Sequence, residues 1–425
     1  MAVAVAREGA SAGIGVGRAA EAPPGKALTA GRVASLPVVL SAVGVWLATR
    51  VAYGVFTYFS VVLNAPGMAH ARSLLQAWGQ YDTHWYLLIS RQGYFSPEAS
   101  AFFPLYPALV GGVSALLGHA HGPIWPAFDG LRLLLALGVA NAFTLVGFIG
   151  LALLAVHEYG EERTASLTVL VAAAFPFAFF LAAAYTEGPF LAAAVFTLYF
   201  ARRGEWKWAA VAGFVAGLTR PTALALVLPL AWEYGRQHGL WNRRGHTQFK
   251  LRTALEALTV VGAAPAAIAL YSAFLWQRFG TPWIWVNIQT AQWHRQAMPV
   301  WLTAAELGRR LVTFPRFSTA EAQLLLNLLP LLLCLLIVLV ALRKMPFAFV
   351  LYTLGLCYLA VSSPILSKDE LIESTGRFLT VAIPVFLILA RWMQRWPVVG
   401  HTWVSVGLFV QAVLMTGFFA GRWVG

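Results

Sequence analysis

The chain has 425 residues, of which 59% are hydrophobic and only 11% charged, with a formal net charge of +13. Repeated apolar runs reach the roughly 20 residues needed to cross about 30 Å of hydrocarbon, so the composition excludes a soluble globular domain and points to a polytopic helical membrane protein. Lys and Arg fall between apolar runs rather than on one soluble face, which argues against nucleic acid as a partner, and Cys334 and Cys357 lie inside apolar runs, which argues against disulfides or a Cys-based metal site.

Residues 1–32 are rich in Ala, Gly and Pro with little to bury, and read as a flexible cytoplasmic tail. Residues 33–425 form the membrane domain. The run from Val33 to Leu63 follows Arg32 and far exceeds the roughly 7 to 15 residues of a signal-peptide core, so it reads as a retained first span with its N-terminus inside.

Residues 61–100 then become an external loop, where Asn64, Pro66 and Gly67 break the helix. Within it, "AWGQYDTHWYLLIS" mixes Trp and Tyr with apolar residues at three- and four-residue spacing, which suits a helix lying in the interface. This stretch carries Asp82, one carboxylate framed by aromatic residues outside the hydrocarbon. The following "AFFPLYP" reads as a rigid, Pro-bounded element that shapes a groove.

Further spans are expected near 131–156, 165–184, 188–201, 208–231, 254–277, 323–342, 346–366, 377–391 and 399–420, about 10–11 in all, some short or re-entrant. A full crossing by 103–118 would leave the basic "ARRGEWK" loop outside, against the positive-inside rule, so a re-entrant or incomplete segment is expected between Phe103 and Gly130. Likewise Thr219-Arg220-Pro221 interrupts an apolar-rich stretch and predicts two short helices meeting at a turn. With both adjustments, Asp82, Glu187, Arg220, the second external loop 278–322 and the segment 367–377 share one side. The basic groups around Arg202, Arg236 to Arg252, Arg343 and Arg391 take the other.

In order and spacing, "QYDTHWYLLISRQGY" with "AFFPLYP", then "AAAYTEGPF", "GLTRPTALALVLPL" and "GRFLTVAIPVFLILA" resemble the PIG-V family, the second mannosyltransferase of glycosylphosphatidylinositol anchor synthesis, and its prokaryotic relatives. The resemblance covers most of residues 75–392. It implies an all-α transmembrane bundle of the GT-C type, and an inverting transferase that takes a hexose, mannose by the family, from a polyprenyl-phosphate donor on the non-cytoplasmic face. A glycolipid or other hydroxyl compound would accept the sugar, and Asp82 would be the catalytic base. Two positions depart from the family pattern: Gly188-Pro189 follows the acid of "YTE" where many relatives have Ser, and Phe378 follows the late arginine where many have Tyr.

The chemistry of the residues agrees. Attack of a hydroxyl on an anomeric carbon needs a base within about 3 Å of its proton, which one carboxylate supplies. A glycosidase needs a second acid for its alkoxide leaving group. A phosphate leaves as a stable anion, so cations suffice. Arg220 and Arg377, each beside an apolar segment, are the candidate phosphate-binding residues, because guanidinium matches phosphate oxygens in bidentate fashion. Tyr81, His84, Glu187, Trp283, Trp285, Gln289 and Trp293 are candidate sugar or acceptor contacts. No cofactor is required by this scheme, and no metal residue is assigned, although loop carboxylates could supply a divalent-cation site.

Simpler roles exist for each residue. Asp82 could cap a helix, Glu187 could be a solvated helix-end acid, Arg220 could anchor at the interface, and Arg377 could pair with Asp369, Glu370 or Glu373. A transporter or flippase would place its ionisable groups near the midplane between inverted repeats, and no such repeat is evident. A catalytically silent scaffold has no need of the carboxylate. The Ala-rich tail and the C-terminal "GRWVG", which lacks a retrieval signal, point to a prokaryotic plasma membrane.

Overall fold

Among the described residues every regular element is a helix, one of the two architectures that satisfy backbone polar groups in lipid. A computed structural model describes residues 35–64, 71–119, 129–240, 251–367 and 369–425, and among these the only extended pairing is one antiparallel bridge between Arg295 and Ile365. The expected tail 1–32 and the basic residues Arg243, Arg244 and Lys250 lie outside the described residues.

In chain order the helices are α1 (Leu36–Asn64), α2 (Ala71–Gln76), α3 (Asp82–Gln92), α4 (Leu105–Leu116), α5 (Gly130–Tyr159) and α6 (Glu162–Ala173). Then come α7 (Glu187–Arg203), α8 (Trp206–Thr219), α9 (Val227–Gln237), α10 (Leu251–Val261), α11 (Ala263–Phe279) and α12 (Ile284–Ala291). The chain closes with α13 (Val300–Thr313), α14 (Thr319–Ala341), α15 (Phe347–Val361), α16 (Thr375–Phe378), α17 (Ile383–Arg395) and α18 (Pro397–Phe419).

Among the described residues four helices, α1, α5, α14 and α18, are long and apolar enough to cross a membrane. Two bent pairs, α10 with α11 at 61° and the stretch from α16 with α17 at 72°, raise that number to six if each is one span. The 10–11 stretches read from hydropathy are therefore present largely as shorter or broken helices. In the segment expected to stop short of crossing, α4 has 12 residues, about 18 Å of helix against about 30 Å of hydrocarbon, and residues 120–128 lie outside the described residues. The break at Thr219-Arg220-Pro221 also appears, with Arg220 extended at φ −160° and a 3₁₀ stretch from Pro221 to Leu226 before α9.

The expected span 165–184 differs. α6 stops at Ala173, just before Pro176, and residues 174–186 run through turns and a short 3₁₀ helix although almost all are buried. Irregular backbone at that depth persists only when protein satisfies its polar groups. Asn141 on α5 donates to Ala182 O at 2.9 Å, Thr144 to Leu181 O at 2.6 Å, and Gln411 on α18 to Phe175 O at 2.7 Å. Arg50, midway along α1, donates to Asn141 Oδ1 at 2.7 Å and reaches Leu181 O at 3.5 Å. A polar network inside the bundle thus holds the segment that leads into Glu187.

Because α7 begins at Glu187 and ends at Arg203, its length of 17 residues sets its two ends about 25 Å apart. At the far end Arg202 grips both oxygens of Glu158 at 2.6 and 3.0 Å and pairs with Glu233 at 2.9 Å, while Arg236 pairs with Glu233 at 2.6 Å. The helix direction therefore separates this basic end from the end that carries Glu187 and Arg220.

Candidate active site

At the Glu187 end lies a cavity of about 650 Å³, lined by residues from α3, the "AFFPLYP" region, the break after α8, α12, the 293–297 segment and the 362–378 segment. It is amphipathic, with Phe102, Phe103, Leu224 and Val286 on one part of the lining and the charged residues on another.

α3 starts at Asp82, and Tyr81 rather than Asp82 occupies its N-cap position, with no side-chain cap. Asp82 does not act as a cap. Its Oδ2 accepts from Arg377 Nη1 at 2.6 Å, and the carboxylate remains 23% exposed along the cavity it lines. Tyr81 is held at φ +51°, a costly conformation for a large side chain, of order 1–3 kcal/mol. Its ring packs edge-on against Trp423, centroids 4.8 Å apart.

Arg377 stands on α16, 8% exposed and walled by the rings of Trp423, Tyr185, Phe378 and Phe180 with centroids 5.1 to 5.7 Å from its guanidinium carbon. The preceding Gly376 is required by this packing, since a Cβ there would lie 2.2 Å from the Phe177 ring. Arg377 Nε sits 3.3 Å from Glu187 Oε1, close enough for an ion pair but misaligned for a hydrogen bond, so that N–H is unsatisfied. Arg220 donates to the same Oε1 at 2.5 Å and lies 5.0 Å from the Phe378 ring centroid. Phe378 therefore underlies both guanidinium groups.

Glu187 is 1% exposed and outside the cavity lining, so the sequence expectation of a sugar contact and the simpler one of a solvated acid both give way. It is a buried counter-ion shared by two arginines, placed in the first turn of α7 where the helix dipole favours a carboxylate. Gly188 permits this: a Cβ there would lie 2.4 Å from Thr144 Oγ1 and 2.6 Å from Ala140 O on α5. The absence of Ser at this position is a packing requirement of this chain.

Of the other sequence candidates, Tyr81, Trp285, Gln289 and Trp293 line the cavity, while His84 and Trp283 do not. His84 lies two residues after Asp82, about 200° around the helix, and is exposed. Trp283 precedes α12 and is 63% exposed, whereas Trp285 and Gln289 are four apart on one helix face.

The same spacing rule finds Tyr86, four residues after Asp82, which the sequence reading passed over. It lines the cavity, and its hydroxyl lies 3.3 Å from Thr186 Oγ1. Burial, joined by the charges of Asp82 and Glu187, pushes the Tyr86 hydroxyl well above its ordinary pKa, and burial with Glu370 raises that of Tyr81. Both stay protonated and can donate. Trp423 and Arg295 also line the cavity unforeseen. Arg295 lies in "FGTPWIWVNIQTAQWHRQ", a Trp-rich segment that reads as an interfacial lid, in which the Trp residues and Gln289 but not Arg295 stand out as candidates. Among the described residues, no three His, Cys, Asp or Glu side chains come together as a metal-binding group.

No protein-family model matches the sequence, and no curated protein does. Two solved structures of the oligosaccharyltransferase of Archaeoglobus fulgidus are similar to it, one in complex with zinc and sulfate and one tethered by a disulfide to an acceptor peptide containing the NVT sequon. The TM-scores are 0.40 and 0.41, with 12% identity in each case. The alignments cover 89% of this chain but 53% and 55% of theirs, so the chain spans about half the length of those proteins.

Proposed function

We propose that the protein is an inverting glycosyltransferase of the GT-C type that moves a hexose, mannose by its family resemblance, from a polyprenyl-phosphate donor to a hydroxyl of a glycolipid or other acceptor on the non-cytoplasmic face. The observation that carries this reading is the convergence of Asp82, Arg220 and Arg377, from three distant parts of the sequence, on one amphipathic cavity at the end of the bundle opposite the Arg202 cluster.

The cavity suits both halves of a lipid-linked sugar, with apolar lining for the isoprenoid and charged lining for the phosphate. In the reaction the acceptor oxygen bonds to the anomeric carbon as the bond from that carbon to the phosphate oxygen breaks. Asp82 takes the acceptor proton, and the departing phosphate charge is received by Arg377 and Arg220. Arg377 touches Asp82 already, so the group that holds the base also meets the leaving group. Glu187 keeps both arginines in place by pairing beneath them. Tyr81, Trp285, Gln289 and Trp293 line the space left for sugar and acceptor.

Incubating the purified protein with radiolabelled polyprenyl-phosphate-mannose and a membrane lipid extract tests the assignment. Label is expected to move into a new lipid. Absence of transfer from this donor, together with transfer from a nucleotide sugar, would refute it.

A further inference from the structure

The two arginines that face the proposed phosphate are already committed to carboxylates. Arg377 pairs with Asp82 and Glu187, and Arg220 with Glu187. A third guanidinium lines the same cavity and differs in its partners. Arg295 donates to two backbone carbonyls, Ser363 O at 3.3 Å and Glu373 O at 3.1 Å, and no carboxylate lies within ion-pair distance of it among the described residues. Neutral carbonyl oxygens orient a guanidinium but do not neutralise it, so among the described lining residues Arg295 is the guanidinium with no carboxylate in ion-pair contact, open to an incoming anion. Burial pushes the Arg295 group down from its ordinary pKa; Glu373 opposes that, the Arg377 charge adds to it, and Asp82 opposes it.

The backbone around Arg295 is built to hold it there. The bridge between Arg295 and Ile365, with Gln296 N donating to Pro364 O at 3.0 Å and Met298 N to Ser362 O at 2.9 Å, fastens the second external loop to the segment leading to Arg377. Four described non-glycine residues have positive φ: Tyr81, His294, Phe317 and Ser374. Three of these stand next to or near the site charges, Tyr81 before Asp82, His294 before Arg295, and Ser374 three residues before Arg377. Strained backbone persists where surrounding structure fixes a side chain for function, and here it marks Arg295 together with the two residues already placed in the site.

Resting on the glycosyltransferase reading, we propose that Arg295 is a phosphate-binding residue of the donor site, the one that captures the lipid phosphate while Arg377 is still engaged with Asp82. Its reach from the second external loop makes donor capture depend on the contact between residues 295–298 and 362–365.

Farnesyl phosphate and farnesol, measured against the full chain in detergent by calorimetry, test this. Wild type is expected to bind farnesyl phosphate more tightly than farnesol. Arg295→Gln is expected to weaken farnesyl phosphate roughly 10-fold to 100-fold, the range for loss of a charge-assisted hydrogen bond, with farnesol unchanged. Arg295→Lys, which keeps the charge and guards against a folding failure of the first variant, is expected to fall between. Equal affinity of wild type and Arg295→Gln for farnesyl phosphate overturns the Arg295 assignment and leaves the donor reading standing. Equal loss of both ligands in Arg295→Gln and Arg295→Lys makes Arg295 a loop staple only, and overturns it as well. If wild type itself does not prefer the phosphate, the donor reading fails and this proposal with it.

Discussion

Asp82 and Arg377 lie 295 positions apart in sequence and 2.6 Å apart in space, and their ion pair joins the start of α3 to the start of the bent α16 and α17 pair.

Glu187→Gln keeps the shape of the side chain and removes its charge. Arg220 then loses its carboxylate partner and Arg377 one of two, and breaking such a buried pair costs about 3–5 kcal/mol. The thermal midpoint is expected to fall together with turnover. A raised KM at unchanged thermal midpoint would instead make Glu187 a substrate contact.

Gly188→Ser introduces the residue common in the resembling family, and its Cβ would press on Thr144 Oγ1 and Ala140 O. Overpacking of this kind costs about 1–3 kcal/mol. Adding Thr144→Ala should recover only part of the loss, because the Ala140 carbonyl is backbone. Full recovery of the thermal midpoint in the double variant would contradict the account.

Arg50 and Asn141 should respond unequally. Asn141→Leu leaves the part-buried Arg50 guanidinium with Thr49 Oγ1 as its remaining side-chain acceptor and takes a donor from Ala182 O, whereas Arg50→Leu removes the charge itself. Removing one partner of a buried charge is the costlier change, by several kcal/mol against about 1, so Asn141→Leu should unfold at the lower temperature. The reverse order would show that the network does not tether residues 174–186.

Acid should loosen the latch on the loop that carries Arg377. Arg310 on α13 donates to Leu366 O at 2.9 Å and Asp369 O at 3.1 Å, and Glu306 holds Arg310 at 2.8 Å. Hydrogen bonds from Arg309 and Arg310 push the Glu306 carboxyl down from 4.5 to about 2. A depressed pKa stabilises above the unfolded value and loses that contribution as pH falls through the folded one. The thermal midpoint of wild type should therefore exceed that of Glu306→Gln above about pH 4.5, with the gap closing toward pH 2. A gap independent of pH would exclude the latch.

Much of this site is legible in the sequence, and for a physical reason. An arginine beside an apolar run is expensive, so Arg220 and Arg377 stand out, and a carboxylate among aromatic residues does the same for Asp82. The role of Glu187 is not legible, because a helix-start acid looks identical whether it faces water or lies beneath two arginines. Adjacency to Asp82 points to His84, but the helical phase that excludes it identifies Tyr86. Arg295 sits in a polar stretch and gains its place only through contact with residues 362–373, some 70 positions away. Hydropathy marks the apolar stretches but not the length of each helix: the break at Arg220-Pro221 is legible from its proline, whereas the end of α6 ahead of Pro176 divides a run that appears continuous.

The most direct test compares Asp82→Asn with wild type in single-turnover transfer from polyprenyl-phosphate-mannose, alongside farnesyl phosphate affinity measured on the same preparations. If Asp82 is the base, farnesyl phosphate binding is retained and transfer is slower by about 10²–10⁴-fold, the usual contribution of a general base. Transfer at the wild-type rate by Asp82→Asn would contradict that assignment.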